Sequence, residues 1–148
     1  MMIRSPLRSF GLVFGQFASL GAIAFTGPLV PSSPLLLGLL AAGLALGLWA
    51  LLTMRLHRLS VLPDPLPRVE LVRAGPYRVI RHPMYASLLL AALAWVLASP
   101  ALWRWGLWLL LLAVLVAKLS YEERMLSASI PSYREYQQRS WRLVPLVW

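Results

Sequence analysis

The length of the uncharged stretches constrains this chain more than any other feature. No Asp, Glu, Lys, Arg or His lies between Ser9 and Met54, and Arg104 is the only such residue between Pro83 and Ala117. A helix needs about 20 mostly apolar residues to cross the hydrocarbon core of a bilayer. Each stretch is longer than one such helix and is interrupted by proline. Each therefore predicts two membrane-spanning helices.

The spans predicted from this pattern are residues 10–26, 34–54, 84–98 and 101–119. Hydrophobic residues make up 59% of the chain and charged residues only 13%, whereas soluble domains carry about 25% charged residues. Too few polar residues remain to cover four apolar helices in water. We therefore predict an all-α integral membrane helical bundle of about four transmembrane helices, in a single membrane domain over residues 1–148.

The positive charges are distributed asymmetrically. All of the 14 lysines and arginines except Arg104 share one face of the membrane if the chain crosses four times, and all five acids lie there too. Cytosolic loops carry the excess of Lys and Arg, so this face is predicted to be cytosolic. We expect a multi-pass protein of the cell inner membrane with cytosolic N- and C-termini. The cytosolic polar regions are 55–83 and 120–148, and the second is expected to form one or two short helices broken at Pro131.

Composition also excludes several kinds of site and partner. No cysteine is present, which excludes disulfides, thiolate catalysis and cysteine metal sites. Since His57 and His82 are the only histidines, no metal site is predicted. The net charge of +9 does not indicate a nucleic-acid partner, because the arginines are juxtamembrane. Contact with membrane lipid headgroups accounts for most of them.

Two polar clusters carry residue types that suit chemistry. The first is Arg81-His82-Pro83-Met84-Tyr85, and the second is Glu122-Glu123 with the tyrosines and arginines that follow it. Spans three and four form a hairpin between the clusters, so both are expected to meet at the cytosolic face. One interpretation is purely electrostatic, with arginines pairing with lipid phosphates and glutamates neutralising arginines. The other is a ligand-binding site.

The order and spacing of these motifs resemble the isoprenylcysteine carboxyl methyltransferase family and the related phospholipid methyltransferases. The resemblance covers about residues 71–145, half of the chain. It rests on short motifs in a fixed order: Gly75-Pro76-Tyr77-Arg78, Arg81-His82-Pro83-Met84-Tyr85, Glu122-Glu123-Arg124-Met125-Leu126, Tyr133-Arg134-Glu135-Tyr136, Arg139 and Pro145. Ser87 stands where the family often has glycine, and Ile130-Pro131 where it has an aromatic-glycine pair. These departures leave the substrate open.

The resemblance implies an S-adenosylmethionine cofactor bound on the cytosolic face, under the C-terminal tail. Charge-assisted hydrogen bonds from His82, with Arg81 nearby, suit the cofactor carboxylate. A glutamate suits its ammonium or ribose hydroxyls, and tyrosine rings suit adenine or the sulfonium. No glycine-rich Rossmann fingerprint is present, which excludes a soluble-type methyltransferase fold. The expected cofactor-binding residues are Arg81, His82, Pro83, Tyr85, Glu122, Glu123, Tyr133 and Tyr136.

The expected catalytic residues are Glu123 and Arg139. Either Arg139 or Arg142 would hold the carboxylate or phosphate of an anionic acceptor, whereas an amine acceptor would pass a proton to a glutamate. Methyl transfer needs little acid–base chemistry, so catalysis is expected to come mainly from positioning and from a water-poor pocket.

The methyl acceptor is expected to be lipophilic and to enter sideways from the bilayer. Prenylated cysteine, a phospholipid amine and a small lipophilic acid all fit, and the oligomeric state stays open. Span three has a face of small residues, which leaves room for an acyl or prenyl chain unless span two fills it. These residues are Ser87, Ala91, Ala94 and Ala98.

Two other functions are compatible with the same motifs. Some membrane reductases that use NADPH end in a similar fold, although this chain looks too short for their larger framework. A non-catalytic membrane module that keeps the fold is the other alternative. Binding of S-adenosylmethionine rather than NADPH distinguishes the methyltransferase from both.

Overall fold

The structure, a computed structural model, describes residues 6–54 and 71–148. Five α-helices and one short 3-10 helix make up the regular elements of these residues, which confirms the predicted all-α fold class. The α-helices are α1 (Pro6–Phe25), α2 (Pro34–Met54), α3 (Pro83–Ala98), α4 (Leu102–Ser129) and α5 (Tyr133–Gln138), and the 3-10 helix is Gly75–Arg78. The predictions for Arg4, His57 and the arginines at 55, 58 and 68 fall outside the described residues.

Three of these helices, α1, α2 and α4, are long and apolar enough to cross a membrane. The fourth predicted span corresponds to α3, which is apolar but has only 16 residues. Helix α3 packs against α1, α2 and α4, and it is the helix most covered by protein. That the chain crosses four times stays a prediction.

Helix α4 extends further than the predicted span. The hydropathy pattern ends near Leu119, but the helix continues without a break to Ser129. Helix-forming residues fill this extension, and no glycine or proline interrupts it before Pro131. The predicted break at Pro131 is confirmed, and only α5 lies beyond it. The extension carries Glu122 and Glu123, which therefore lie within a rigid helix and not at the start of a separate one.

Helices α2 and α3 approach each other closely through small residues. A Cβ added to Gly43 would lie 3.0 Å from the Ala91 backbone nitrogen, and one added to Gly47 would lie 2.9 Å from Ser87 Oγ. Small residues permit this approach in membrane proteins. The small-residue face of α3 is therefore filled by α2, and it leaves no room there for the chain of an acceptor.

At the end of the bundle remote from the sequence motifs, Arg104 connects the helices and is only 1% exposed. Its Nη1 donates to the Thr26 hydroxyl after α1, and its Nη2 donates to the Trp95 carbonyl of α3 at 2.8 Å. Its Nε has no hydrogen-bond partner among the described residues. This single arginine ties three helices together at the end remote from the sequence motifs.

The two ends of the bundle allow a direct test of the predicted topology. The turn between α1 and α2 lies at the Arg104 end, and α5 lies at the motif end. In a chain without cysteine, Ser32→Cys and Gln138→Cys each create one labelling site, and both positions are exposed. An impermeant thiol reagent should label position 32 in intact cells, and position 138 only after permeabilisation. Labelling of position 138 from outside would contradict the cytosolic assignment.

Candidate functional site

The first motif cluster lies in a turn that leads into α3. Gly75 begins the 3-10 helix with a φ of 56°, a left-handed conformation that favours glycine. A Cβ there would also lie 2.6 Å from the Thr53 hydroxyl. Pro83 begins α3, where a missing N–H leaves no intrahelical hydrogen bond unmade. The backbone before α3 thus fixes where Arg81 and His82 can point.

The C-terminal tail, residues 130–148, pairs with this turn through its backbone. Arg81 N donates to the Trp141 carbonyl at 2.7 Å, and His82 N donates to the Arg142 carbonyl at 3.1 Å. Trp141 N in turn donates to the Val79 carbonyl at 3.0 Å, which makes a short parallel bridge. The tail is therefore held directly against the first motif, as a covering segment would be.

Glu123 of α4 lies at the centre of the cluster and is only 3% exposed. Its Oε1 is 2.7 Å from Arg81 Nε and 3.2 Å from His82 Nε2. Its Oε2 is 3.1 Å from Arg142 Nε. One buried carboxylate thus joins the turn, α4 and the tail. The predicted meeting of the two motif clusters is present in the structure.

Arg81 is directed at protein oxygens. Besides Glu123, its guanidinium donates through Nη1 to the carbonyl of Gln137 at 3.1 Å and to the carbonyl of Ser140. Its side chain is 8% exposed. These contacts fasten the tail, so two of its nitrogens are already engaged in this arrangement.

Glu122 and Tyr85 form the more open part of the cluster. The Glu122 side chain is 32% exposed, against 4% for Glu123. Tyr85 Oη donates to Glu122 Oε2 at 3.1 Å, and His82 Nδ1 lies 3.8 Å from the same oxygen. The rings of His82 and Tyr85 are parallel, with centroids 5.4 Å apart. This half of the cluster has a carboxylate oxygen that solvent or a ligand can reach.

The three other motif tyrosines, Tyr77 of the 3-10 helix and Tyr133 and Tyr136 of α5, are buried. Tyr136 Oη donates to the Tyr77 carbonyl at 2.6 Å, and the rings of Tyr133 and Tyr136 meet edge to face at 5.9 Å. Burial raises the pKa of Tyr136 to about 12, against the opposing effects of Arg81 and Arg73. Burial also raises the pKa of Tyr133 and of Tyr77 well above the ordinary value. All three phenols therefore stay neutral, and Tyr133 and Tyr136 present packed rings, not open ones.

The two candidate arginines of the tail differ in their surroundings. Arg139, expected to be catalytic, pairs with Glu135 at 3.2 Å on the surface, where its side chain is 78% exposed. Arg142 instead contacts Glu123 and lies over the Trp148 ring, 5.0 Å from its centroid. The structure therefore brings Arg142 into the cluster and leaves Arg139 outside it.

One charged residue near the cluster, Lys118, was not among the predicted site residues. In the sequence it is one of the cations at the end of span four, yet it is 2% exposed and lies over the Tyr85 ring, 5.2 Å from its centroid. A usable signal was its position directly after a long apolar run and one helical turn before Glu122. No group of three His, Cys, Asp or Glu residues within 6–54 and 71–148 could hold a metal ion.

A family model for phospholipid methyltransferases matches residues 35–131. The matched segment contains all but the first residue of α2, the whole of α3 and α4, and both the Arg81–Tyr85 and Glu122-Glu123 motifs. No curated protein matches the chain significantly. The family match covers more than half of the sequence and agrees with the resemblance read from its motifs. This membrane chain therefore belongs to the phospholipid methyltransferase family, whose members are methyltransferases that act on lipids.

Proposed function

We propose that this protein is an S-adenosylmethionine-dependent membrane methyltransferase that acts on a lipophilic acceptor at the cytosolic membrane face. The observation that carries the proposal is the convergence of His82 and Tyr85 with Glu122 and Glu123. His82 and Glu123 are 41 residues apart in the chain, yet their side chains are within hydrogen-bonding distance. The hairpin of α3 and α4, which returns the chain to one face, brings them together.

The residues of the cluster suit the polar groups of S-adenosylmethionine. The accessible carboxylate of Glu122 can accept hydrogen bonds from an ammonium or from ribose hydroxyls. The Arg142 side chain, 33% exposed, is the most accessible guanidinium of the cluster and suits a carboxylate. The Tyr85 hydroxyl donates to Glu122 and holds that carboxylate in place, while the Tyr85 ring already contacts His82 and Lys118. The buried Glu123 is better suited to hold the site together than to contact the ligand.

When bound, the cofactor supplies a methyl group on a sulfonium, which an acceptor atom attacks in line. The protein then contributes orientation and exclusion of water. The tail, fastened by Arg81, packs against the cluster and would help to exclude water from it. Glu122 can also take a proton from an amine acceptor.

The proposed acceptor is a lipid or similar lipophilic molecule. The family acts on lipids, and the cluster lies where the apolar helices α3 and α4 meet the polar tail. The groove between α2 and α3 is closed by Gly43 and Ala91, so the acceptor chain is not expected there. Family membership also supports a methyltransferase over a reductase that uses NADPH.

Glu122→Gln tests the cofactor assignment without removing the buried carboxylate. We expect wild-type protein in nanodiscs to bind S-adenosylmethionine but not NADPH by calorimetry. A hydrogen bond to a charged group is worth about 1.5–3 kcal/mol, so affinity should fall roughly tenfold or more in Glu122→Gln. Glu135→Gln, an exposed carboxylate outside the cluster, is the matched control and should bind like wild type. Binding of NADPH alone, or equal affinity in all three proteins, would refute the proposal.

A further inference from the structure

Lys118 is a buried cation on α4 that the proposed chemistry does not use. It is 2% exposed and lies one helical turn before Glu122. Ionisable side chains inside a membrane bundle are costly and commonly mark functional positions. Its surroundings therefore call for an explanation beyond contact with lipid headgroups, which a buried ammonium cannot reach.

The Lys118 ammonium connects two other helices. Its Nζ donates to Gln16 Oε1 of α1 at 2.6 Å, and Gln16 is itself only 6% exposed. The same Nζ lies 5.2 Å from the centroid of the Tyr85 ring of α3, within the range of about 6 Å for cation–π contact. The lysine is thus held from one side by an amide and faces an aromatic ring on the other.

The Tyr85 ring connects Lys118 to the candidate site. Its hydroxyl donates to Glu122 at 3.1 Å, and its face stacks on His82. Gln16 lies outside the residues matched by the family model, which begin at 35. Helix α1 therefore reaches the site through a buried hydrogen bond, from a part of the chain that carries no motif of its own.

We propose that Lys118, held by Gln16, is a positioning residue for the Tyr85–Glu122 pair, and that α1 is thereby part of the working site. The inference rests on the proposed function, since the pair matters only if Glu122 contacts the cofactor or acceptor. A fixed ammonium at the ring orients Tyr85, and the oriented phenol holds the Glu122 carboxylate in one place. A misplacement of about 1 Å at a catalytic site can reduce the rate roughly 100-fold.

Four variants test this role in nanodiscs. Lys118→Met keeps the length of the side chain and removes its charge, Lys118→Arg keeps the charge, and Gln16→Leu removes the amide partner. Leu111→Ala is the matched control, because Leu111 is fully buried on the same helix but makes no polar contact that could orient Tyr85. The measurements are thermal stability, cofactor affinity, and kcat and KM for methyl transfer to a lipid acceptor.

We expect kcat to fall about 10- to 100-fold in Lys118→Met, with partial recovery in Lys118→Arg and an intermediate loss in Gln16→Leu. Leu111→Ala should lower thermal stability at least as much as Lys118→Met does, while its kcat stays near the wild-type value. A wild-type kcat in Lys118→Met, or a loss that follows stability equally in Leu111→Ala, would overturn the proposal.

A second measurement of the positioning role does not depend on methyl-transfer activity. With 3-fluorotyrosine in place of Tyr85, the cofactor-free protein should give one narrow ¹⁹F signal, which shifts and broadens in Lys118→Met but not in Leu111→Ala. An unchanged signal in Lys118→Met would overturn the positioning role even in an inactive protein. Failure of the wild type to bind S-adenosylmethionine would instead refute the proposed function, so the two failures are distinguishable.

Discussion

Replacing Glu123 with alanine is expected to destabilise the protein by about 3–5 kcal/mol, the usual cost of removing one partner from a buried ion pair. The variant would leave Arg81, whose side chain is 8% exposed, and the buried His82 without their shared carboxylate. It would also remove the contact between Glu123 and Arg142 of the tail. Unfolding in mixed micelles, monitored by circular dichroism, measures the loss of stability. Cofactor binding should also disappear in this variant.

The matched control for this prediction is Glu135→Ala. Glu135 pairs with Arg139, but both side chains are largely exposed, and exposed pairs contribute about 0–1 kcal/mol. Glu123→Gln adds an intermediate case, since it keeps the shape and the acceptor oxygen but removes the charge. Equal stability of Glu123→Ala and Glu135→Ala would show that the Glu123 cluster does not hold the tail in place.

Gly43→Val is expected to destabilise the bundle by about 1–3 kcal/mol, as overpacking of a tight core usually does. A single added Cβ already meets the Ala91 backbone nitrogen at 3.0 Å and the Ser87 carbonyl oxygen at 3.2 Å. Backbone atoms cannot rotate away, so α2 and α3 would have to separate. The same denaturation measurement detects the loss, and a lower yield of folded protein should accompany it.

Gly38→Val is the control for this substitution on the same helix. A Cβ at Gly38 meets nothing within 4 Å, so valine there should leave stability almost unchanged, and both variants carry the same change in helix propensity. If Gly43→Val were equally harmless, the crossing of α2 and α3 would be open, and the small-residue face of α3 would again be available to an acceptor chain.

The sequence predicted the helices well where hydropathy and helix limits coincide. Helix α2 has the predicted limits of 34–54, and α3 begins one residue earlier than expected, at Pro83. Helix α4 differs because hydropathy reports the membrane and not the helix. At Leu119 the side chains turn polar while backbone hydrogen bonding continues to Ser129. An apolar pattern cannot show how far a helix extends into water.

The site was predictable only in part, for a similar reason. The meeting of His82 with Glu123 follows from a hairpin that returns the chain to one face. The position of Arg142 inside the cluster and of Arg139 outside it could not be predicted in this way. Helix α5 ends at Gln138, and the irregular chain beyond it follows no periodicity. The contact between Lys118 and Gln16 was equally inaccessible, since it joins helices that no motif links.

The pairing of α1 with α4 has a consequence for how the protein is made. Gln16 and Lys118 are 102 residues apart, and a ribosome adds about 5–20 residues per second. Helix α1 therefore enters the bilayer roughly 5–20 seconds before its partner is synthesised, with its buried polar side chains Ser9, Gln16 and Ser19 still uncovered. Until α4 arrives, α1 must be sheltered by the insertion machinery or by another helix. The bundle can close only late in synthesis, when the last spanning helix joins the first.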